Sequence, residues 1–230
     1  MKAAILEELA AARAMKRPVV LATVLSTGEQ ILLDPLGEAG KRGGEALWAA
    51  ARTAADRDES TVVQDDGNRE VFLHVFNPPL RMAIVGAVHI AQFLAPLARA
   101  IGFDVTVIDP RGAFATAGRF PEAALVHEWP DVALERLAPG RRTAIVALTH
   151  DPKLDEPARV AALRSPAFYV GALGSRKTQE RRAERLRESG IGDDDLGRIA
   201  APIGLDIGAR GPAEIAVSII AQVIERLRKA

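Results

Sequence analysis

Arg81-Met-Ala-Ile-Val-Gly86, the segment from Ala87 to Ile101, and Asp104-Val-Thr-Val-Ile-Asp109 read in succession as an apolar strand, a helix and a second apolar strand. A glycine closes the first strand and a carboxylate closes the second, about 20 residues beyond the turn. That is the layout of a dinucleotide-binding βαβ half. Its fingerprint, Gly-x-Gly-x-x-Gly/Ala, falls on Gly86, Val88 and Ala91, so the second glycine is missing. Gly86 supplies the tight turn, and Ala91 permits close helix–strand packing. Val88 stands where a missing side chain lets a pyrophosphate approach the backbone. The fold is kept while the standard phosphate seat is altered, and the helix N-terminus remains an anion site. Asp109 is either a ligand contact at a strand's carboxyl end or a cap on the turn at Pro110.

Working outward, strands and helices alternate. Strands are expected at 81–86, 104–109, 123–126, 143–149, 167–171 and 199–203, and helices at 88–101, 131–137, 155–164, 176–189 and 212–228. This rhythm predicts a parallel sheet covered on both faces. Gly211-Pro212 marks a helix start, and Ile215, Ile219, Ile220, Val223, Ile224 and Leu227 line its apolar face. Upstream, a helix is expected over 1–16, a strand over 18–25 paired with 30–33, a helix over 43–55 and a strand over 70–76. Asn77-Pro78-Pro79 is the sharpest break. It separates a small α/β N-terminal domain, 1–77, from a Rossmann-like cofactor-binding domain, 78–230.

Composition narrows the functional classes. The 230 residues are 48% hydrophobic but only 4% aromatic, so the core is built from Ala, Val, Leu and Ile. A formal net charge of zero gives no support for nucleic-acid or membrane attraction. Cysteine is absent. Disulfides, iron–sulfur ligation, thiolate zinc sites and a persulfide carried on this chain are all excluded. His74, His89, His127 and His150 have no metal-binding spacing. The acidic, amphipathic start is not a signal peptide, and no apolar run reaches membrane-spanning length. A cytoplasmic protein is expected.

Three loops follow strands and should gather at one sheet edge. In Thr149-His150-Asp151-Pro152, His150 can donate to an anion, accept a proton, bind a metal or simply lie at the surface, and Asp151 can meet a ligand or cap the next helix. Gly171-Ala-Leu-Gly174-Ser175-Arg176-Lys177-Thr178 leads two glycines into a helix rich in hydroxyls and cations, which suits a phosphate. It also suits a plain turn with Ser175 as N-cap. Arg181, Arg182, Arg185 and Arg187 interleave with glutamates as a solvated face would. In Pro202-Ile-Gly204-Leu-Asp206-Ile-Gly208, Asp206 is a ligand contact or a turn residue. His89 and Gln92, in the first helical turn after Gly86, can face a ligand.

Taken together, Gly86-Ala-Val-His-Ile-Ala-Gln92, Phe114-Ala115 with Arg119-Phe120-Pro121, Leu148-Thr-His-Asp-Pro-Lys153, Tyr169-Val-Gly-Ala-Leu-Gly-Ser-Arg176, Ala201-Pro-Ile-Gly-Leu-Asp-Ile-Gly-Ala209 and Pro212-Ala-Glu-Ile-Ala-Val-Ser218 resemble the XdhC/CoxI family. The likeness covers about residues 70 to 229. It implies a Rossmann-like C-terminal domain after a smaller one, in a maturation factor for molybdenum hydroxylases such as xanthine and carbon monoxide dehydrogenases. Such a factor binds molybdenum cofactor, as molybdopterin or its dinucleotide, and assists its sulfuration with a cysteine desulfurase. It then delivers the cofactor to the apoenzyme, and a homodimer fits the family's habit. Val88 departs from the family's Gly-x-Gly turn. The N-terminal cysteine-bearing glycine segment is reduced to Gly43-Gly44, as in the short CoxF-like members, so this chain can present a cofactor but cannot carry the sulfur.

The resemblance thus implies a cofactor-binding set of Gly86, Val88, His89, Asp109, Arg111, Thr149, His150, Asp151, Gly171, Gly174, Ser175, Arg176, Lys177, Gly204 and Asp206. Two other readings stay open at this point: an FAD- or NAD(P)-binding Rossmann oxidoreductase, and a pure docking protein.

Overall fold

The computed structural model describes residues 3–37 and 43–229, with Arg176 described by its backbone alone. The chain divides into two compact units, Met1–Pro78 and Pro79–Ala230.

In the first unit, α1 (Ala3–Ala14), β1 (Val19–Val24), β2 (Gln30–Leu33), α2 (Glu45–Arg57), β3 (Thr61–Gln64) and β4 (Glu70–Phe76) follow in order. Met1 and Lys2, at the head of the expected 1–16 helix, lie outside the described residues. The four strands form an antiparallel sheet in the order β2-β1-β4-β3. Strand alternation decides its two faces. Val20, Ala22, Val24, Val71 and Leu73 face α2, which buries Leu47, Ala51, Ala54 and Ala55 against them. Val19 and Phe76 face the other way and meet Leu9 and Ala12 of α1. The β1–β2 pairing joins the two expected strands, with Val20 opposite Leu33. β3 is not among the expected elements. It is a sheet edge whose residues are exposed or half-buried, so it carries little apolar pattern.

The second unit comprises β5 (Leu80–Val85), α3 (His89–Ala100), β6 (Phe103–Ile108), β7 (Ala124–Val126), α4 (Pro130–Leu137), β8 (Thr143–Ala147), α5 (Pro152–Leu163), β9 (Tyr169–Ala172), α6 (Arg176–Glu188), α7 (Asp193–Gly197), β10 (Ile199–Ala200) and α8 (Pro212–Lys229). All six strands are parallel, in the order β10-β9-β8-β5-β6-β7. The order reverses direction between β5 and β8, which makes that point the switch point where ligands of open parallel sheets bind.

Helices cover both faces. Met82, Ile84, Val105, Val107, Ala144 and Val146 pack against α3 and α8, which contribute Leu94, Ala98, Ile219 and Val223. Ala83, Val85, Ile108, Ile145 and Val170 pack against α4 and α5 through Leu134, Ala158 and Ala162. Each fully buried Leu or Ile stabilises the fold by roughly 1.5–3 kcal/mol. α5 begins three residues earlier than expected, because Asp151 caps it and Pro152 occupies its first position. β10 is cut to two residues, ahead of Pro202, which has no N–H for a ladder. Among the described residues, no helix is long and apolar enough to cross a membrane.

Candidate functional site

The switch point is built by the loops after β5, β6 and β8. β5 ends at Gly86, whose φ of 101° lies in the left-handed region. A Cβ on Gly86 would stand 3.1 Å from the Thr149 amide nitrogen. Glycine is therefore required twice here, by the turn and by the close passage of the loop after β8. The Gly86 amide donates to the Ile108 carbonyl at 2.9 Å, and the Ala87 amide donates to Asp109 Oδ2 at 2.9 Å. Val88 is the extended N-cap of α3 and supplies no side-chain cap. Its side chain is half-buried and packs on the main core. His89, the first helical residue, is exposed, and its ring lies 5.4 Å from that of Phe93.

Asp109 is fully buried. Its Oδ1 accepts from the Arg111 amide and Nε at 3.0 and 2.8 Å, and its Oδ2 from the Ala87 amide and Arg111 Nη2 at 2.9 and 2.8 Å. Four donors fill the carboxylate's acceptor positions, so a ribose hydroxyl would have to displace one of them. Burial alone would raise this carboxyl. The hydrogen bonds from Arg111 and from the two amides, with the guanidinium charge, outweigh burial and hold it below the usual carboxylate range. Arg111 is the member of the pair that reaches solvent. Its side chain is 40% exposed and stacks 4.6 Å over the Phe114 ring. Hydrogen bonding to Asp109 strengthens its charge, and Asp151 adds attraction from across the switch point.

After β8, Thr149 is buried and its hydroxyl accepts from the Asp151 amide at 3.1 Å. Asp151 caps α5 by accepting from the Lys153 amide at 3.0 Å, and His150 is exposed. Capping by Asp151 and exposure of His150 leave both side chains at the carboxyl edge of the sheet.

One strand further out, the glycines answer to packing. A Cβ on Gly171 would meet the Tyr169 hydroxyl and Ile203 Cδ1 at 2.6 Å, inside the sheet rather than at its edge. A Cβ on Gly174, at φ 141°, would meet Arg182 Nη1 at 2.9 Å and Gln179 Nε2 at 3.0 Å. Ser175 is the N-cap of α6, with Thr178 as its partner, and Lys177 is exposed. The Arg176 side chain lies outside the described residues. A Cβ on Gly204 would collide with the Ser218 hydroxyl of α8, and Asp206 is exposed.

The structure therefore brings Gly86, Val88, Asp109, Arg111 and the 149–151 loop together at the switch point. It sets 171–177 and 204–206 one and two strands away along the same carboxyl edge. Sequence reasoning missed two features. Phe114 carries Arg111, and the Phe114-Ala115 string hinted at it. Arg182, read as part of a solvated helix face, is instead 5% exposed and paired with Asp155 at 3.2 Å. The Asp155/Arg159 i,i+4 spacing was the available signal for that cluster.

Residues 82–223, which supply all of these loops, match the family model described as the XdhC Rossmann domain. The chain is 32% identical over 165 residues to a probable xanthine dehydrogenase component of Bacillus subtilis (strain 168), covering 71% of this chain and 48% of that protein. It is 32% identical over 148 residues to the molybdenum cofactor insertion chaperone PaoD of Escherichia coli (strain K12), covering 64% of this chain and 40% of that protein. A third relative, YqeB of the same strain, is 30% identical over 161 residues, covering 69% and 29%. The chain thus spans less than half the length of these relatives. A crystal structure of a xanthine dehydrogenase from Bacillus halodurans shares the fold, with a TM-score of 0.68 at 24% identity, covering 98% of this chain and 64% of that one.

Proposed function

We propose that this chain, which belongs to the XdhC family, is a binding and insertion factor for molybdenum cofactor. It would present molybdopterin or its dinucleotide to an apo molybdenum hydroxylase of the xanthine or carbon monoxide dehydrogenase type. One observation carries this reading. Every loop of the sheet's carboxyl edge falls inside the matched segment 82–223, and a relative of this chain is named a cofactor insertion chaperone.

The cofactor is cargo here, and the residues present suit it. Phosphate would lie against the uncapped amides at the start of α3, beside the Arg111 guanidinium. Ser175, Arg176 and Lys177 offer a second set of donors at the start of α6. His150, Asp151 and Asp206 are exposed and would face the pterin and metal end. Asp109 acts through Arg111 by fixing its fork. Val88 packs on the core and leaves the backbone amides open, which favours a shifted phosphate over a blocked one.

With no cysteine in the chain, sulfur must come from a partner, and a cysteine desulfurase has the required chemistry. A homodimer would use the exposed Val217 and Ile224 of α8, and a cytoplasmic location would suit this role. An FAD- or NAD(P)-binding role gains from the strand order but loses from the filled carboxylate of Asp109.

The test is genetic and chemical. Deleting the gene should leave a folded client hydroxylase without a competent metal centre. His150→Ala, Asp151→Ala and Asp206→Ala should reproduce that defect in a stable accessory protein. Client metal content and activity are the readouts, and a fully active client from the deletion strain would refute the proposal.

A further inference from the structure

Beneath the 172–175 loop lies a buried charge cluster that the cofactor reading does not use. Asp155 of α5 is fully buried, Arg159 is 1% exposed and Arg182 of α6 is 5% exposed. Arg159 Nε and Arg182 Nε stand 3.0 and 3.2 Å from Asp155 Oδ2. Two guanidiniums thus share one carboxylate, and a positive charge is left over in a dry place. Arg182 spends Nη1 on the Leu173 carbonyl at 2.7 Å, and Arg159 spends Nη1 on Gln179 Oε1 at 2.8 Å. Arg159 Nη2 is buried and has no hydrogen-bond partner among the described residues. A buried unpaired donor is costly, doubly so on a charged group.

Arg159 is also the floor of a pocket of about 360 Å³ between α6, α7 and the edge strand β10. That volume suits a small ligand. Ala183, Leu186, Leu196 and Ile199 form its apolar walls, and Gln179 and Glu180 are its other polar groups. Gln179 screens the guanidinium, yet its own amide is held only by two long contacts of 3.4 Å to Ala172 and Leu173 carbonyls. An incoming carboxylate can take the place of Gln179 Oε1 on Nη1 and reach Nη2 with its second oxygen, the planar fork that guanidinium favours. The apolar walls call for a hydrocarbon body. Glu180 at the mouth disfavours a dianion. β9 separates this pocket from the switch point, so the two sites are distinct.

We propose that this pocket is a binding site for a small monocarboxylate with a short apolar body, with Arg159 as its anchor. The proposal stands independently of the cofactor reading.

The full chain titrated with hexanoate, acetate and inorganic phosphate at matched ionic strength tests it, by thermal unfolding and calorimetry. Hexanoate should give a saturable rise in unfolding temperature that acetate does not match and that saturating phosphate does not abolish. Ala183→Leu fills the pocket without touching the charge cluster, and should weaken hexanoate by about tenfold or more while the free protein stays folded. Arg159→Lys keeps the charge but loses the fork, and should lose the hexanoate response. No response to hexanoate, a response equalled by acetate, or one unchanged in Ala183→Leu would overturn the assignment.

Discussion

Asp109 and Arg111 are two residues apart in sequence and form a closed pair, the carboxylate fully buried and the guanidinium reaching the solvent edge of the switch point. The same carboxylate also anchors the Ala87 amide of the glycine turn. It therefore ties the end of β6 to the start of α3 while aiming a cation at the crevice.

Asp109→Asn should lower stability at neutral pH by about 1.5–3 kcal/mol, the scale of a hydrogen bond to a charged group. Because the folded-state pKa of Asp109 is depressed, its contribution is fully present above the unfolded value of about 3.9 and is lost as pH falls through the folded value. Denaturant unfolding of both proteins should show a constant gap from pH 7 to about pH 5 that narrows below about pH 4. A gap that widened in acid would contradict the pairing.

In the Asp155 cluster, removing only the carboxylate leaves two buried guanidiniums facing each other. Asp155→Leu alone should cost about 3–5 kcal/mol. Combining it with Arg159→Met should cost less than the two single changes added together. The sign of that coupling, read from a double-mutant cycle, is the check.

Val88→Gly removes a half-buried side chain from the core at a position where glycine is an acceptable N-cap. A loss of about 1 kcal/mol is expected, with no new tight site for NAD in titration calorimetry. Nanomolar NAD binding by the variant would restore Val88 as a blocking residue.

Gly204 sits at φ 92°, with the Ser218 hydroxyl in the space a Cβ would need. Gly204→Ala should destabilise by about 1–3 kcal/mol through backbone strain and overpacking. Adding Ser218→Ala removes the hydroxyl while keeping helix propensity, and should recover much of the packing part and leave the strain. Equal unfolding midpoints for the single and double variants would show that packing plays no part.

Much of this was legible in the sequence because it is local. β4 occupies the span that alternation predicted, β2 the span expected to pair with β1, and the 81–109 unit declared its layout through one glycine and one carboxylate. α7 was missed because Asp193-Asp-Asp-Leu-Gly197 carries a single large apolar residue and no period. The glycine roles were illegible for a different reason. Gly171 is dictated by Ile203 together with the Tyr169 ring, and Gly204 by Ser218, and no local pattern announces Ile203 or Ser218. Arg182 was hidden likewise, since its partner Asp155 lies on the preceding helix.

The packing of α8 beside α3 on one sheet face has a consequence for biogenesis. Leu94 and Ala98 are translated long before Ile219 and Val223, with which they share a core. At ribosomal speeds of about 5–20 residues per second, the intervening chain takes on the order of ten seconds to emerge. For that interval α3 alone covers this face, so closure of the second unit waits for α8. The growing chain is then a natural client for general folding helpers at the exit tunnel.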